Sequence, residues 1–467
     1  MARDYELRIV GPITTVNLHS TPYTIMSWAP AHSSMEVAAI PSTRDGEAVR
    51  SVRWRNVTEQ IQVKIEDGSM ANNLGELEHL LHFFERARQQ QADPSLDEAV
   101  SLQFKSTSSG LNFNAEIISG RAIPHPESLA FRWEHDILIL NLIILRRPYW
   151  IDTSGTALPL TNVYGSTQTT PLQFDNHDDA SHDNHAFVSK GDYPGGMLMP
   201  VTVKIKNIDG PPAIGDIFLG VQQRSGFGMV TLREAEDMTL AGVSSSQVDG
   251  TASGGDFVRS TWSVDAETLL FHDDITSGEI SEAAGQRFKM LARFHNAPGA
   301  SAPLLRWKFK YQGNVLWEGP QIQVDATDLI QEIGTVKIPP WPLPAALAVN
   351  VKLELHGQVV GGTTLDTDFI QWMPLDGYRR YKSIGNGLLD DEILNDFQAL
   401  PYNPELYVDT DPGSVGKYVA LGKPLWIQPD RATKFILLFM TTTGLAPVDH
   451  SVLFNAVAHE TGLVLPA

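Results

Sequence analysis

The sequence predicts a mainly β fold with one substantial helix: an N-terminal β-sandwich or barrel that carries the helix, then one or two jelly-roll or β-sandwich domains. Three observations lead there. Short runs alternate apolar and polar residues at period two, turn residues recur about every 8–12 positions, and the 37 glycines and 29 prolines fall between the runs. At 42% apolar and 19% charged, the 467 residues can fill packed cores, which excludes disorder as the main state. The absence of Cys excludes disulfide scaffolds, thiol nucleophiles, Cys-based zinc sites and iron–sulfur clusters. A net charge of −20 (35 basic, 55 acidic) speaks against binding nucleic acid or anionic lipid over the general surface. Arg3, Asp4, Glu6 and Arg8 interrupt the N-terminus, so no signal peptide is expected. The longest apolar stretch, residues 137–145, is too short to span a bilayer, and no membrane insertion is expected.

Residues 52–65 (VRWRNVTEQIQVKI) alternate and read as strand. The next segment changes period. Leu74, Leu77, Leu80, Leu81 and Phe84 are spaced as one face of a helix, predicted over residues 73–90. Asn72 or Asn73 would cap it, Glu76 and Glu78 suit its first turn, and Arg86 and Arg88 its last. It should pack on the sheet made by 52–65 before it and by 101–104, 111–118 and 136–145 after it. Residues 201–207 (VTVKIKN) alternate between Pro200 and the turn Asp209, Gly210, Pro211. Residues 304–317 (LLRWKFKYQGNVLW) alternate around a hairpin signal at Gln312, Gly313 and Asn314. Their parity places Trp307, Phe309 and Tyr311 in a core and Lys308 and Lys310 in solvent. Residues 349–355 (VNVKLEL) repeat the pattern, and a second, shorter helix is predicted over 390–400.

Composition divides the chain into a first unit over residues 1–165 and a β-sandwich over 166–374. Residues 375–467 form either a third unit or a continuation of the second. Residues 241–255 (AGVSSSQVDGTASGG) read as the most flexible loop in the chain, and there is no internal repeat of fixed short period.

The densest polar tract, residues 175–185, offers His177, Asp178, Asp179, His182, Asp183 and His185. Imidazole and carboxylate suit zinc, manganese or calcium, but no distant second ligand group accompanies them, and Asn and Asp favour turns. A solvated loop is the expectation, and no metal or cofactor is assigned. His459–Glu460 opens like a zincin helix, yet Leu463 stands where the second His must be. His272, Asp273 and Asp274 read as a turn rather than half of an acid–base set. There is no G-x-S-x-G elbow, and GSVGK at 413–417 lacks the spacing and final hydroxyl of a phosphate loop. No catalytic residue is assigned and no enzyme is expected. Aromatic residues on an exposed sheet face stack on sugar rings, which makes Trp317, Trp341 and Trp372 candidate glycan contacts against the plainer reading of core tryptophans.

The first unit runs strands, helix, a hairpin-rich stretch, then a strand ending in Arg146, Arg147, Pro148, Tyr149 and Trp150. This order resembles the belt-forming domain of siphophage distal tail proteins, itself similar to the phage tail-tube fold. Pro148–Tyr149 matches the Pro–Tyr dipeptide that commonly ends the domain-closing strand there. The resemblance implies a galectin-like or carbohydrate-module-like sandwich behind the belt. Residues 422–439 (GKPLWIQPDRATKFILLF) look like the closing strand pair of such proteins, departing from it at Asp430 and Ala432, where Gly and Asn are usual. What it implies is a virion structural protein, made in the bacterial cytoplasm, that forms a ring where the tail tube meets the tail tip. Hexamers or trimers would be the assembly, and the tail tube, tail-tip hub and tape-measure proteins the partners, with cell-surface glycan as a further one. A carbohydrate-binding adhesion protein, a tube protein with added sandwiches and a glycan-cleaving enzyme are the competing readings. A ring closes by heterologous contacts, so each subunit must offer its neighbour an edge or hairpin. Residues 22–45, including Ser42, and the turn of Ser106, Ser109 and Gly110 are the candidate intersubunit loops. Net acidity also suits a tube through which DNA slides, since like charges repel phosphate.

Overall fold

Every described ladder in the computed structural model is antiparallel, and the hydrophobic cores are built chiefly from strand residues. The structure describes residues 5–463 except 42–46, 94–98, 108–109, 126–135, 163–171, 177–182, 194–196, 225–231, 264, 284, 339–350, 360, 398–404, 410–416 and 447–449. The first unit contains β1 (Tyr5–Val10), β2 (Thr15–Asn17), β3 (Tyr23–Trp28), β4 (Met35–Pro41), β5 (Glu47–Trp54), β6 (Val57–Ile65), the helix α1 (Met70–Ala92), β7 (Ser101–Ser106), β8 (Asn112–Pro124), β9 (Leu138–Arg146) and β10 (Trp150–Asp152). One curved sheet runs β2-β1-β7-β8-β9-β6-β3, with β10 added against β8, while among the described residues β4 and β5 pair only with each other. In β9 every second side chain is buried, from Leu138 to Arg146, and in β6 the same parity buries Val57, Glu59, Ile61, Val63 and Ile65.

Helix α1 starts three residues earlier than predicted, and its inward face is rotated from the predicted one. Leu80 and Phe84 are buried and Leu77 packs on the core as expected, while Leu74 and Leu81 do not. Ser69 is its cap, its hydroxyl accepting from the Asn72 amide at 3.2 Å. Asn73 is buried instead, taking the Asp67 amide at 2.7 Å and donating to the Asp136 carbonyl at 2.5 Å. The inward face is Leu80, Phe83, Phe84 and Ala87. Leu74 and Leu81, predicted to be inward, are 38% and 42% exposed. The rotation has a steric cause: Phe83 and Phe84 each need a site in the sheet with no side chain. Gly11 and Gly120 supply those sites, since a Cβ on either would collide with the Phe83 or Phe84 ring. Burying Leu80, Phe83 and Phe84 stabilises the helix by about 1.5–3 kcal/mol each.

Behind the first unit lie two sandwiches. One sheet of the first contains strands Met199–Asn207, Ile393–Phe397, Glu405–Asp409 and Val452–Ala458. Its partner sheet contains His185–Val188, Ile214–Arg224, Tyr378–Ser383, Tyr418–Gly422 and Ala432–Thr441. Val201, Ile205, Leu219, Phe435, Phe439 and Phe454 meet between them. The second sandwich is built from strands lying between Leu232 and Pro374, around Phe271, Phe288, Trp307, Phe309, Leu355 and Trp372. The segments predicted as 166–374 and 375–467 are therefore interleaved: strands from both share the same two sheets. The helix predicted at 390–400 is instead strand Ile393–Phe397, paired with Met199–Asn207 on one side and Glu405–Asp409 on the other. The predicted loop at 241–255 holds an edge strand, Ser244–Val248, paired with Asp256–Trp262. The predicted hairpin at 304–317 turns on Gln312 and Gly313, both at positive φ (48° and 81°), as a two-residue turn requires. Trp307 and Phe309 are buried as their parity predicts and Tyr311 is half-buried beside them, while Lys308 and Lys310, expected in solvent, lie on the opposite face, part-buried and paired with Glu267 and Glu354.

In the second sandwich Glu234 and Glu236 flank Gly254, and Ser253 anchors the turn by donating to Glu234 at 2.7 Å and, through its amide, to Asp368 at 3.0 Å. Burial pushes both carboxyls up to about 7. The folded chain thus holds protons that the unfolded chain has released, so stability falls as pH rises from the ordinary carboxylate range toward 7. Glu234→Gln keeps the hydrogen bond and removes the titration. It is expected to stabilise the protein by about 1–3 kcal/mol at roughly pH 8 and by nothing measurable near roughly pH 4, read from thermal melts at the two pH values.

Candidate assembly surface

The β4–β5 ribbon is the feature of the first unit that its own sheet does not absorb. Its register runs from Met35 opposite Trp54, through Val37 opposite Val52, to Pro41 opposite Glu47, with one irregularity at Ala38/Ala39. At about 3.3 Å per residue its strands reach roughly 20–25 Å. Its root is held by a buried ion pair. Arg146 Nε donates to Glu59 Oε1 at 2.9 Å, and both side chains are fully buried. The other Glu59 oxygen accepts from Trp28 Nε1 at 3.0 Å and from the Ala31 amide at 3.1 Å. Arg146 returns to the same segment by donating to the Ala31 carbonyl at 3.0 Å, and it also donates to the carbonyls of Arg147 and Pro148. Its guanidinium lies 4.5 Å from the Trp150 ring centroid. Burial pulls the Arg146 guanidinium below its usual range, and Glu59 opposes that pull. One node thus joins the ribbon's entry strand, the sheet and the Pro148–Tyr149–Trp150 exit. Across the ribbon's base, Arg55 donates its amide to the Ser34 carbonyl at 2.9 Å.

The sheet is open beside this node. Tyr5, His19, Thr24 and Ile25 line a cleft between β1 and β3, and the Tyr5 ring sits 5.7 Å from Trp28 and 5.4 Å from Phe104. Nearby, Leu74 and Leu81 leave an apolar stripe on the outer face of α1.

The predicted intersubunit residues fall differently. Residues 22–45, read as a loop, contain β3 and β4, and β4 is paired with β5 rather than free; Ser42 lies outside the described residues. Ser106 belongs to β7 and donates its amide to the Leu111 carbonyl at 2.9 Å, and Gly110 has φ 72°; Ser109 lies outside the described residues. Among the tryptophans, Trp372 is buried edge-on against Phe288 at 5.4 Å, where no sugar can reach it. It lies on a central strand covered on both sides, which period-two reading cannot distinguish from a half-exposed one. Trp317 is half-buried on an edge strand and packs over Gly319, and Trp341 lies outside the described residues.

The polar motifs resolve into structural contacts. His459 is buried; its Nδ1 donates to the Asp152 carbonyl at 2.8 Å, so Nε2 accepts from the Thr202 hydroxyl at 2.7 Å. Burial holds its imidazole below the usual range. His272, Asp273 and Asp274 lie within a strand rather than a turn: His272 faces Lys352 at 3.0 Å while Asp273 points away to Arg233 at 3.2 Å. Most of the 175–185 tract lies outside the described residues, and Asp183 pairs with His185 at 2.7 Å. Among the described residues no group of three or more potential ligands could hold a metal ion, and no helix is long and apolar enough to cross a membrane. The Glu59–Arg146 node was missed, though a signal existed: both charges sit on the apolar parity of their strands.

No protein-family model matches the chain, and no curated protein matches its sequence. Among solved structures it is similar to the Dit protein of phage SPP1, a hub adsorption-apparatus protein. The match has a TM-score of 0.27 and 10% identity, covering 78% of this chain and 98% of that one. It is also similar to a chain of the phage p2 baseplate in its activated conformation, with a TM-score of 0.21, 7% identity, and coverage of 78% and 97%. The infectious bursal disease virus VP2 subviral particle matches at 0.18 and 8%, covering 68% and 79%. TM-scores this low do not establish a common fold.

Proposed function

We propose that the chain is a structural protein of a phage tail, of the distal-tail type, that closes into a ring where the tail tube meets the tail tip. The observation that carries this is the β4–β5 ribbon, which has no partner sheet among the described residues and is fixed at its root by a buried ion pair. A two-stranded ribbon is at best marginally stable alone in water, so a surface of another molecule must cover it. A second copy supplies one through a heterologous contact, and repetition of that contact closes a ring. The exposed Leu74 and Leu81 of α1 and the open edge of β3 are acceptors of matching chemistry. The order of elements in the first unit and its Pro148–Tyr149 exit support the same reading, as does the −20 charge for a ring that DNA must traverse. Three or six subunits would form the ring, in a virion whose tail tube, tip hub and tape measure are its neighbours.

The test is to replace residues 36–53 by a short Gly-Ser turn and compare light-scattering masses and negative-stain images with the intact chain. The intact chain is expected as rings with a central hole. The shortened chain should be a monomer with an unchanged far-UV circular dichroism spectrum. Rings of undiminished stability without the ribbon would remove the basis of the proposal.

A further inference from the structure

We infer that the seam between the two sandwiches is a binding site for a single acidic sugar residue. The argument does not depend on ring formation. The seam exists because the turn Leu375–Gly377 crosses strand Ile214–Arg224, with Gly377 packed on the Val221 carbonyl, where any Cβ would collide. Beside that crossing is a cleft of about 290 Å³. It is close to the lower limit of small-molecule sites, roughly 300–1,000 Å³, so it takes one ring rather than an oligosaccharide.

Three walls bring different chemistry to it. Gln222 comes from strand Ile214–Arg224, on the same face as Phe218 and Gly220, which pack on the second sandwich. It is 6% exposed, and it lines the cleft. A planar amide at the cleft wall can donate to and accept from a ligand placed there. Gln286 and Arg287 come from the second sandwich, with Asp376 of the crossing turn 3.7 Å from Arg287. Trp426, from strand Trp426–Ile427, and Arg431, from the turn that follows it, close the third side.

The set fits a saccharide. An indole offers an apolar face to the C–H face of a pyranose, and planar amides present donor and acceptor together to vicinal hydroxyls. The charge fits an acidic one. Two guanidinium groups face one carboxylate, and Arg431 has no carboxylate partner among the described residues, in a chain of net charge −20. A guanidinium fork matches a carboxylate or phosphate oxygen pair.

The experiment titrates the full chain with glucuronate, glucose 6-phosphate, glucose and inorganic phosphate, followed by saturation-transfer NMR. Glucuronate or glucose 6-phosphate is expected to bind, identifying carboxylate or phosphate as the preferred group, with glucose at least about tenfold weaker and phosphate alone weaker still. Gln222→Leu and Trp426→Ala should each weaken the charged sugar about tenfold or more. Arg431→Ala, at an exposed position, should leave the thermal midpoint unchanged and abolish the preference over glucose. Absence of binding by both charged sugars would overturn the inference. So would phosphate binding as tightly as glucose 6-phosphate, glucose binding as tightly as the charged sugars, or wild-type affinity in all three variants.

Discussion

Arg146→Met is expected to destabilise the first unit by about 3–5 kcal/mol, because it leaves the Glu59 carboxylate buried without its cation. The loss should reach the ribbon as well. Arg146 holds the Ala31 carbonyl and Glu59 the Ala31 amide, so the entry strand is released from one side and strained on the other. Pairing the change with Glu59→Leu removes the uncompensated charge and should recover part of the loss. It cannot recover all of it, since the Trp28 indole and the Ala31 amide would then lack their acceptor. Urea unfolding of the wild type, both single variants and the double variant measures these terms. A cost below about 1 kcal/mol for Arg146→Met would show that water reaches Glu59 and that the node does not hold the ribbon.

The second large effect is expected at Asp396. Its carboxylate accepts from Arg379 Nη2 at 2.9 Å and from the Tyr381 hydroxyl at 2.7 Å, and all three residues are buried inside the first sandwich. Burial beside Asp396 also pushes the Tyr381 phenol far up, so it stays a donor. Asp396→Ala strands the Arg379 guanidinium and the Tyr381 hydroxyl together, at a cost of about 3–5 kcal/mol. Asp396→Asn retains an acceptor and should cost less. Denaturant midpoints of the two variants rank them. Equal midpoints would mean that charge at this position is immaterial.

Asp396 also marks where sequence reading stops. Residues 390–400 look helical because Ile393, Leu394 and Phe397 fall three and four apart, and nothing local indicates that Ile393–Phe397 pairs with a strand nearly two hundred positions away. The interleaving of the two sandwiches is hidden for the same reason: strand partners are chosen over long separations, while periodicity reports only which side of a strand is covered. Where covering alone matters, the sequence is readable. The parity of Trp307, Phe309, Lys308 and Lys310 puts each on its correct face, and the same parity run through β6 and β9 would have put Glu59 and Arg146 in the core. Helix α1 is legible as a helix, but its rotation is not, because Gly11 and Gly120 decide it from two distant strands. The cleft of Gln222, Trp426 and Arg431 gathers residues from separate parts of the chain and leaves no motif.

The chain crosses between the first sheet and the sandwiches twice. It leaves after β10 and returns at strand Thr461–Gly462, and the crossings are paired, Trp150 with Gly462 and Ile151 with Thr461. The Asp152 amide donates to the Glu460 carbonyl at 2.8 Å, and His459 ties the pair to Thr202. A single tether would act as a swivel. Two antiparallel tethers laced together resist twisting and share tension, as the two rails of a ladder do. Torque or pull applied to the sandwiches is therefore delivered to the first sheet rather than lost in a joint.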